Sequence, residues 1–228
     1  MPARPGMQIE TPKTLTEIVV ERLRQAIIDG HFVFGENISE DKLATVFGVS
    51  RSPVRDALNA LQFTGLVTII PKRGSFVFVP TAEEVGEICD YRLMLEREAL
   101  RLSMDADREG FLAALDDAVE RMRERMLAGD EIGYVRIDTE FHNLFFDHCG
   151  NSLVQNAFHL VEARIATIRT ALNARFKQRR EDSFDQHVAI VEGLRQGDWE
   201  TVHDVLGKHI TSIRADAIDE LSRPDPLA

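Results

Sequence analysis

Apolar residues near the start of the chain recur at helical spacing and then give way to a strand-like run. Leu15, Ile18, Val19, Leu23, Ala26 and Ile27 share one helix face, opened by Thr14 and Glu17 as a capping box and closed by Gly30. A short second helix is predicted behind Ser39, with Leu43, Val46 and Phe47 on one side and Gly48 as its stop. Gly48, Val49 and Ser50 form a very short turn. Ser50 is placed to cap a third helix, which carries Pro53 in its first turn and buries Val54, Leu58 and Leu61. Past Gly65 the β-formers Val67, Ile69 and Ile70, then Phe76 to Val79, flank the turn Pro71, Lys72, Arg73, Gly74 and predict a hairpin. Three helices with a tight turn between the last two, followed by a hairpin, describe a winged helix-turn-helix.

From Thr81, which with Glu84 makes a second capping box, the pattern is helical as far as Leu221. Breaks near Asp105, Gly129, Gly150, Phe176 and Gly197 divide it into about six helices, the longest expected from Ser152 to about Arg175. No β-rich run interrupts them, so an antiparallel all-helical bundle is expected and the fold class is mainly α. The predicted organisation is a flexible N-terminus over residues 1–12, a winged helix-turn-helix domain over 13–80, a helical domain over 81–222 and a frayed tail over 223–228.

The net charge of −11 would argue against a nucleic-acid partner if it were spread evenly. It is not: residues 1–80 carry nine Lys/Arg against eight Asp/Glu, and the rest 18 against 30, so the acidity sits in the helical part. Two cysteines, Cys89 and Cys149, have no Cys-x-x-Cys spacing, which excludes a disulfide framework or thiolate zinc finger. No run approaches the roughly 18 apolar residues of a membrane span, and Met1 to Pro12 lacks a signal-peptide core. A cytoplasmic protein without a membrane partner is expected.

On the third helix Arg51, Arg55, Asn59 and Gln62 fall on one face beside the apolar stripe. Arginine forks onto guanine edges or phosphates and asparagine or glutamine onto adenine, so the face suits a major groove. Lys72 and Arg73, beside Gly74, put positive charge at the hairpin tip. The stretch GVSRSPVRDALNAL from Gly48, with GLV at Gly65 and KRGSFV at Lys72, closely resembles the DNA-binding domain of GntR-type bacterial transcription regulators. That resemblance implies operator contacts from Arg51, Ser52, Arg55, Arg73 and Gly74. One position departs from the family: Asp41 stands where an arginine is common, which removes an expected contact. Helix-turn-helix heads read double-stranded DNA in pairs about 34 Å apart, so a homodimer on a pseudo-palindrome is expected.

In the helical domain Asp138 and His142 lie one turn apart on a face shared with Val135 and Phe145. His187 falls among Phe184, Val191 and Leu194, and His209 among Val202, Leu206 and Ile213, so all four side chains should point inward. A carboxylate buried alone is costly, and a divalent metal removes that cost. Three imidazoles with one carboxylate suit zinc first, and also nickel, manganese, iron or cobalt; histidines satisfied by the core itself are the alternative. His31, His148, His159 and His203 match no ligand position.

The same four residues resemble the metal set of the FadR-type branch of the family, whose helical domain is the FCD domain. The resemblance implies a transcription regulator, a repressor in the first instance, answering to a small carboxylic acid bound at the metal. Arg92, in DYRLMLERE, resembles that branch's inward arginine, and Arg164 or Arg169 could meet the effector from another side. An intrahelical pair with Glu96 is the competing role for Arg92. A metal sensor and a metal-dependent enzyme are further readings. The enzyme would need a general base, and the spacing offers no inward carboxylate apart from Asp138.

Overall fold

The computed structural model describes residues 12–173 and 177–221. The predicted tail, nearly all of the predicted flexible N-terminus and the break near Phe176 lie outside those residues.

Helix α1 (Leu15–Ile28) opens with the Thr14/Glu17 capping box formed in both directions, and α2 (Glu40–Phe47) with Ser39 accepting from the Lys42 amide. Gly48 ends α2 at φ +66°, the left-handed conformation that glycine adopts without steric cost. Helix α3 (Arg51–Phe63) follows. Ser50 occupies its N-cap with extended backbone, but its side chain makes no capping bond. The predicted hairpin is β2 (Val67–Ile70) with β3 (Gly74–Val77), antiparallel from Val67 opposite Val77 to Ile70 opposite Gly74. A third strand, β1 (Asn37–Ile38), pairs with the other edge of β3. Two residues carry no readable alternation, so pairing with β3 makes this strand rather than sequence pattern. Val19, Leu23, Ile27, Val54, Leu58, Leu61, Leu66 and Val77 bury the core of this head.

The bundle consists of α4 (Ala82–Ala106), α5 (Arg108–Ala128), α6 (Glu131–Asp147), α7 (Ser152–His159), α8 (Glu162–Asn173), α9 (Lys177–Gln196) and α10 (Trp199–Leu221). Helix α4 has the Thr81/Glu84 box, while Gly129 and Gly197 turn the chain at φ +68° and +74°. Helix α5 packs on α6 and α9, and α10 on α4 and α9.

The segment from Ser152 expected to be the longest helix is two, broken at Leu160 and Val161. No glycine or proline marks that break. Tertiary anchors hold α7 instead: Phe158 stacks on Phe146 at 3.8 Å, Tyr91 Oη donates to the Ala157 carbonyl, and Gln155 donates to the Phe146 carbonyl. Helix α8 packs against α1 of the head.

Head and bundle touch along α1, α6 and α8. Arg136 on α6 grips the Asp29 carboxylate with Nη2 and Nε at 2.6 and 3.1 Å. Arg24 Nη2 lies 3.0 Å from Glu162 Oε2 on α8. A cleft of about 490 Å³ lies between them, with Gln25, Ile28, Thr139 and Asn143 among its walls.

Candidate functional site

Helix α6 presents Asp138 and His142 on one buried face, α9 brings His187 to them and α10 brings His209. One ligand atom from each falls within 4.8 Å of all the others. His142 Nε2 is 3.0 Å from His209 Nε2 and 3.4 Å from His187 Nε2, while His187 Nε2 is 3.4 Å from Asp138 Oδ1. Phe141 and Phe145 wall the group, with the Phe141 ring 4.5 Å from that of His187.

The outer nitrogens decide what the inner ones can do. His209 Nδ1 meets Gln186 Oε1 at 3.0 Å, and an amide oxygen only accepts, so His209 carries its proton on Nδ1 and a lone pair on Nε2. His142 Nδ1 meets Glu96 Oε2 at 2.9 Å, and an ionised Glu96 imposes the same tautomer. Two nitrogen lone pairs 3.0 Å apart then repel unless a cation or a proton lies between them. Burial pushes His142 well below its ordinary pKa, with Arg92 and Arg169 adding to the effect, and brings His187 down to about 4 against the pull of Asp138. At neutral pH these are uncharged donors, the form in which histidine binds a metal. The residues fit a divalent ion.

Glu96 is the member that the sequence reading missed. It is fully buried, and burial raises its carboxyl above the ordinary range although Arg92 pulls the other way. Its spacing to Arg92 suggested a minor helix-surface pair; instead Arg92 Nε donates to Glu96 Oε1 at 2.5 Å with both side chains buried. The signal is present in the sequence, since residues four apart share a face and Arg92 resembles the branch's inward arginine. The expectation that no inward carboxylate accompanies Asp138 is therefore corrected.

Arg92 Nη1 and Nη2 are buried without a hydrogen-bond partner among the described residues. Such donors cost on the order of 1–3 kcal/mol each, and their fork matches two carboxylate oxygens. Arg169 Nη1 lies 2.8 Å from Asp138 Oδ2 and donates to Thr139 Oγ1. Arg164 is not brought to the group. It packs over the Phe78 ring at 5.6 Å and lies 3.7 Å from Glu84 Oε1, at the junction with the head. Five helical residues rotate by about 140°, so Arg164 and Arg169 cannot share a face. His31 and His159 are exposed, His148 packs on Phe111, and His203 lies beside Trp199; none joins the cluster.

On the head, Arg51, Ser52, Arg55, Asn59 and Gln62 are exposed along α3, and Lys72, Arg73 and Gly74 are exposed at the wing tip. Lys72 has φ +64° in the turn after Pro71, a backbone conformation that disfavours a side chain. Arg55 donates to Glu40 Oε2 through Nη2 at 3.0 Å and Nε at 3.3 Å, and Arg51 Nε pairs with Asp41.

Comparison with known proteins agrees with both halves of this layout. Residues 15–77 match the family model for bacterial regulatory proteins of the gntR family, and residues 87–212 match the FCD domain. The chain belongs to the GntR family and carries an FCD domain. It is 32% identical to the HTH-type transcriptional regulator YdhC of Bacillus subtilis, over 82% of this chain and 84% of that protein. It is 31% identical to the HTH-type transcriptional repressor NanR of Cronobacter sakazakii, over 89% of this chain and 85% of that one. The fold is that of a GntR regulator from Rhodococcus, with a TM-score of 0.77 and 25% identity over 90% of this chain and 97% of that one. This GntR protein is thus a DNA-binding transcription regulator, as its relatives are, and not an enzyme. Among the described residues no helix is long and apolar enough to cross a membrane.

Proposed function

We propose that this regulator is a repressor whose operator affinity is set by a small carboxylic acid bound at a divalent metal, zinc first, held by Asp138, His142, His187 and His209. The observation that carries the reading is the convergence of three imidazole Nε2 atoms and one carboxylate in a buried site, with lone pairs facing one another. The ion supplies a Lewis-acidic anchor for carboxylate oxygens. Arg92 completes the grip, since its two Nη atoms need an acceptor. Arg169, already engaged with Asp138, holds that ligand in place and lies near enough to exchange partners when an anion arrives.

Operator DNA is read by Arg51, Ser52, Arg55 and Asn59, with Lys72, Arg73 and Gly74 at the wing, and a homodimer presents two such heads. Helix α6, which carries two of the four residues, and α8, which carries Arg169, also grip the head, which gives the effector a route to it. Helix α6 bears Asp138 and His142 on one face and Arg136 on another; α8 bears Arg169 and Glu162. A ligand shifts DNA affinity only by its differential affinity for the two arrangements of head and bundle. Release from DNA is the response that fits a repressor.

The test is thermal melting of the metal-loaded protein against a panel of small mono- and dicarboxylates and sugar acids. A binder at about 100 times its Kd adds roughly 2.7 kcal/mol of stability. No stabilisation by any acid, together with operator affinity that follows metal concentration alone, would favour a metal sensor.

A further inference from the structure

The two helices of the turn carry no net charge. On α2 and α3 the cations are Lys42, Arg51 and Arg55, and the anions are Glu40, Asp41 and Asp56. This is unexpected of a surface that must approach phosphates, and two of the anions are placed on the arginines assigned to base reading. Glu40 and Asp41 are the first two residues of α2; Arg51 and Arg55 stand one turn apart at the start of α3. Asp41 pairs with Arg51 Nε, and Glu40 receives both Nε and Nη2 of Arg55. A carboxylate on the Nε side of a guanidinium restricts the rotation of the long side chain and leaves the terminal Nη edge for a second acceptor.

We propose that Glu40 and Asp41 are specificity-determining residues, which hold the terminal edges of Arg55 and Arg51 toward the base edges and withhold both charges from DNA of the wrong sequence. The inference rests on Arg51 and Arg55 being base readers, and it is independent of the metal and effector. Because the carboxylates sit on the Nε side, a guanine presenting O6 and N7 together meets the free Nη edge and adds to the carboxylate contact instead of competing with it. A lone phosphate offers no such fit and meets the two acids as like charges. Asp41, which replaces an expected DNA contact, thereby acts on the same duplex through Arg51.

Duplexes enriched from a random-sequence library by the full-length wild-type protein serve as cognate DNA, and scrambled versions of them as controls. Asp41→Asn and Glu40→Gln keep side-chain shape and should leave melting nearly unchanged. Each should raise affinity for scrambled DNA roughly three- to fivefold while cognate affinity moves less, so that discrimination falls and scrambled binding becomes more salt-sensitive. In an Arg51→Ala background, Asp41→Asn should no longer alter discrimination. An equal gain for both duplexes, no change for either, or an Asp41→Asn effect that persists without Arg51 would overturn the proposal. Unaltered cognate binding by Arg51→Ala alone would instead remove Arg51 from the reading surface, and the Asp41 assignment with it.

Discussion

At the scale of single residues, the buried group around His142 is layered, with Glu96 and Gln186 fixing the outer nitrogens of His142 and His209 and so the orientation of the inner ones. Glu96→Gln keeps an acceptor for His142 but loses the charge that balances Arg92, and should weaken metal binding about 10- to 100-fold by competition with a chelator. Unchanged affinity would show that Glu96 serves only Arg92. His187→Ala should lower both metal content and effector-induced stabilisation, and full metal occupancy in that variant would count against the site. The inward placement of Asp138, His142, His187 and His209 was legible in the sequence because each sits three or four residues from large apolar neighbours on its own helix. Glu96 was not, because a one-dimensional pattern shows that it can meet Arg92 but not that α6 covers the pair. The five-residue spacing already separates Arg164 from Arg169 around the helix, but the contacts of Arg164 with Phe78 and Glu84 depend on where α8 meets the head, which no residue type announces.

Elements were legible wherever local chemistry ends them. Capping boxes at Thr14 and Thr81 and left-handed glycines at positions 48, 129 and 197 mark boundaries that the structure reproduces. Elements set by distant contacts were not: β1 exists because β3 offers a second edge, and α7 parts from α8 because Phe146 and Tyr91 hold it. The wing turn sits between these cases. Its hairpin was expected, but the left-handed backbone at Lys72 was not. Lys72→Gly should relieve that conformation and raise stability, on the order of 1 kcal/mol by chemical denaturation, while weakening DNA binding through the lost charge. Loss of stability, or undiminished DNA binding, would contradict that account of the tip. Gly65, at φ +71°, has Arg164 Cδ only 3.1 Å from where a Cβ would stand. Gly65→Ala should therefore cost about 1 kcal/mol or more, and an unchanged melting temperature would show that α3 and the wing tolerate rearrangement there.

At the scale of the whole molecule, the buried cluster in the bundle and the exposed face of α3 lie in different domains, and coupling them requires contacts that run through both. Mechanical continuity links the two: α6 carries Asp138 and His142 and grips Asp29 through Arg136, while α8 carries Arg169 against Asp138 and grips Arg24 through Glu162. Burial raises the Asp29 carboxyl pKa, but hydrogen bonds from Arg136 and Gln25, with the Arg136 charge, bring it below its ordinary value of 3.8. A depressed carboxylate contributes its stability above that value and loses it only as pH falls through the lower folded pKa, so the grip persists across the neutral range. Arg136→Ala should leave metal content and effector stabilisation intact while reducing effector-induced operator release, within the 5- to 150-fold range typical of allosteric coupling. Wild-type release by that variant would move the route elsewhere.

The proposed regulation requires a divalent ion where Asp138, His142, His187 and His209 meet. Elemental analysis of untagged full-length protein tests it most directly, with the His142→Ala variant alongside. About one equivalent of a first-row divalent metal per chain is expected in the wild type, with most of it lost in the variant. Metal-free wild-type protein that takes up no ion on titration, or a variant that keeps its full complement, would contradict the account.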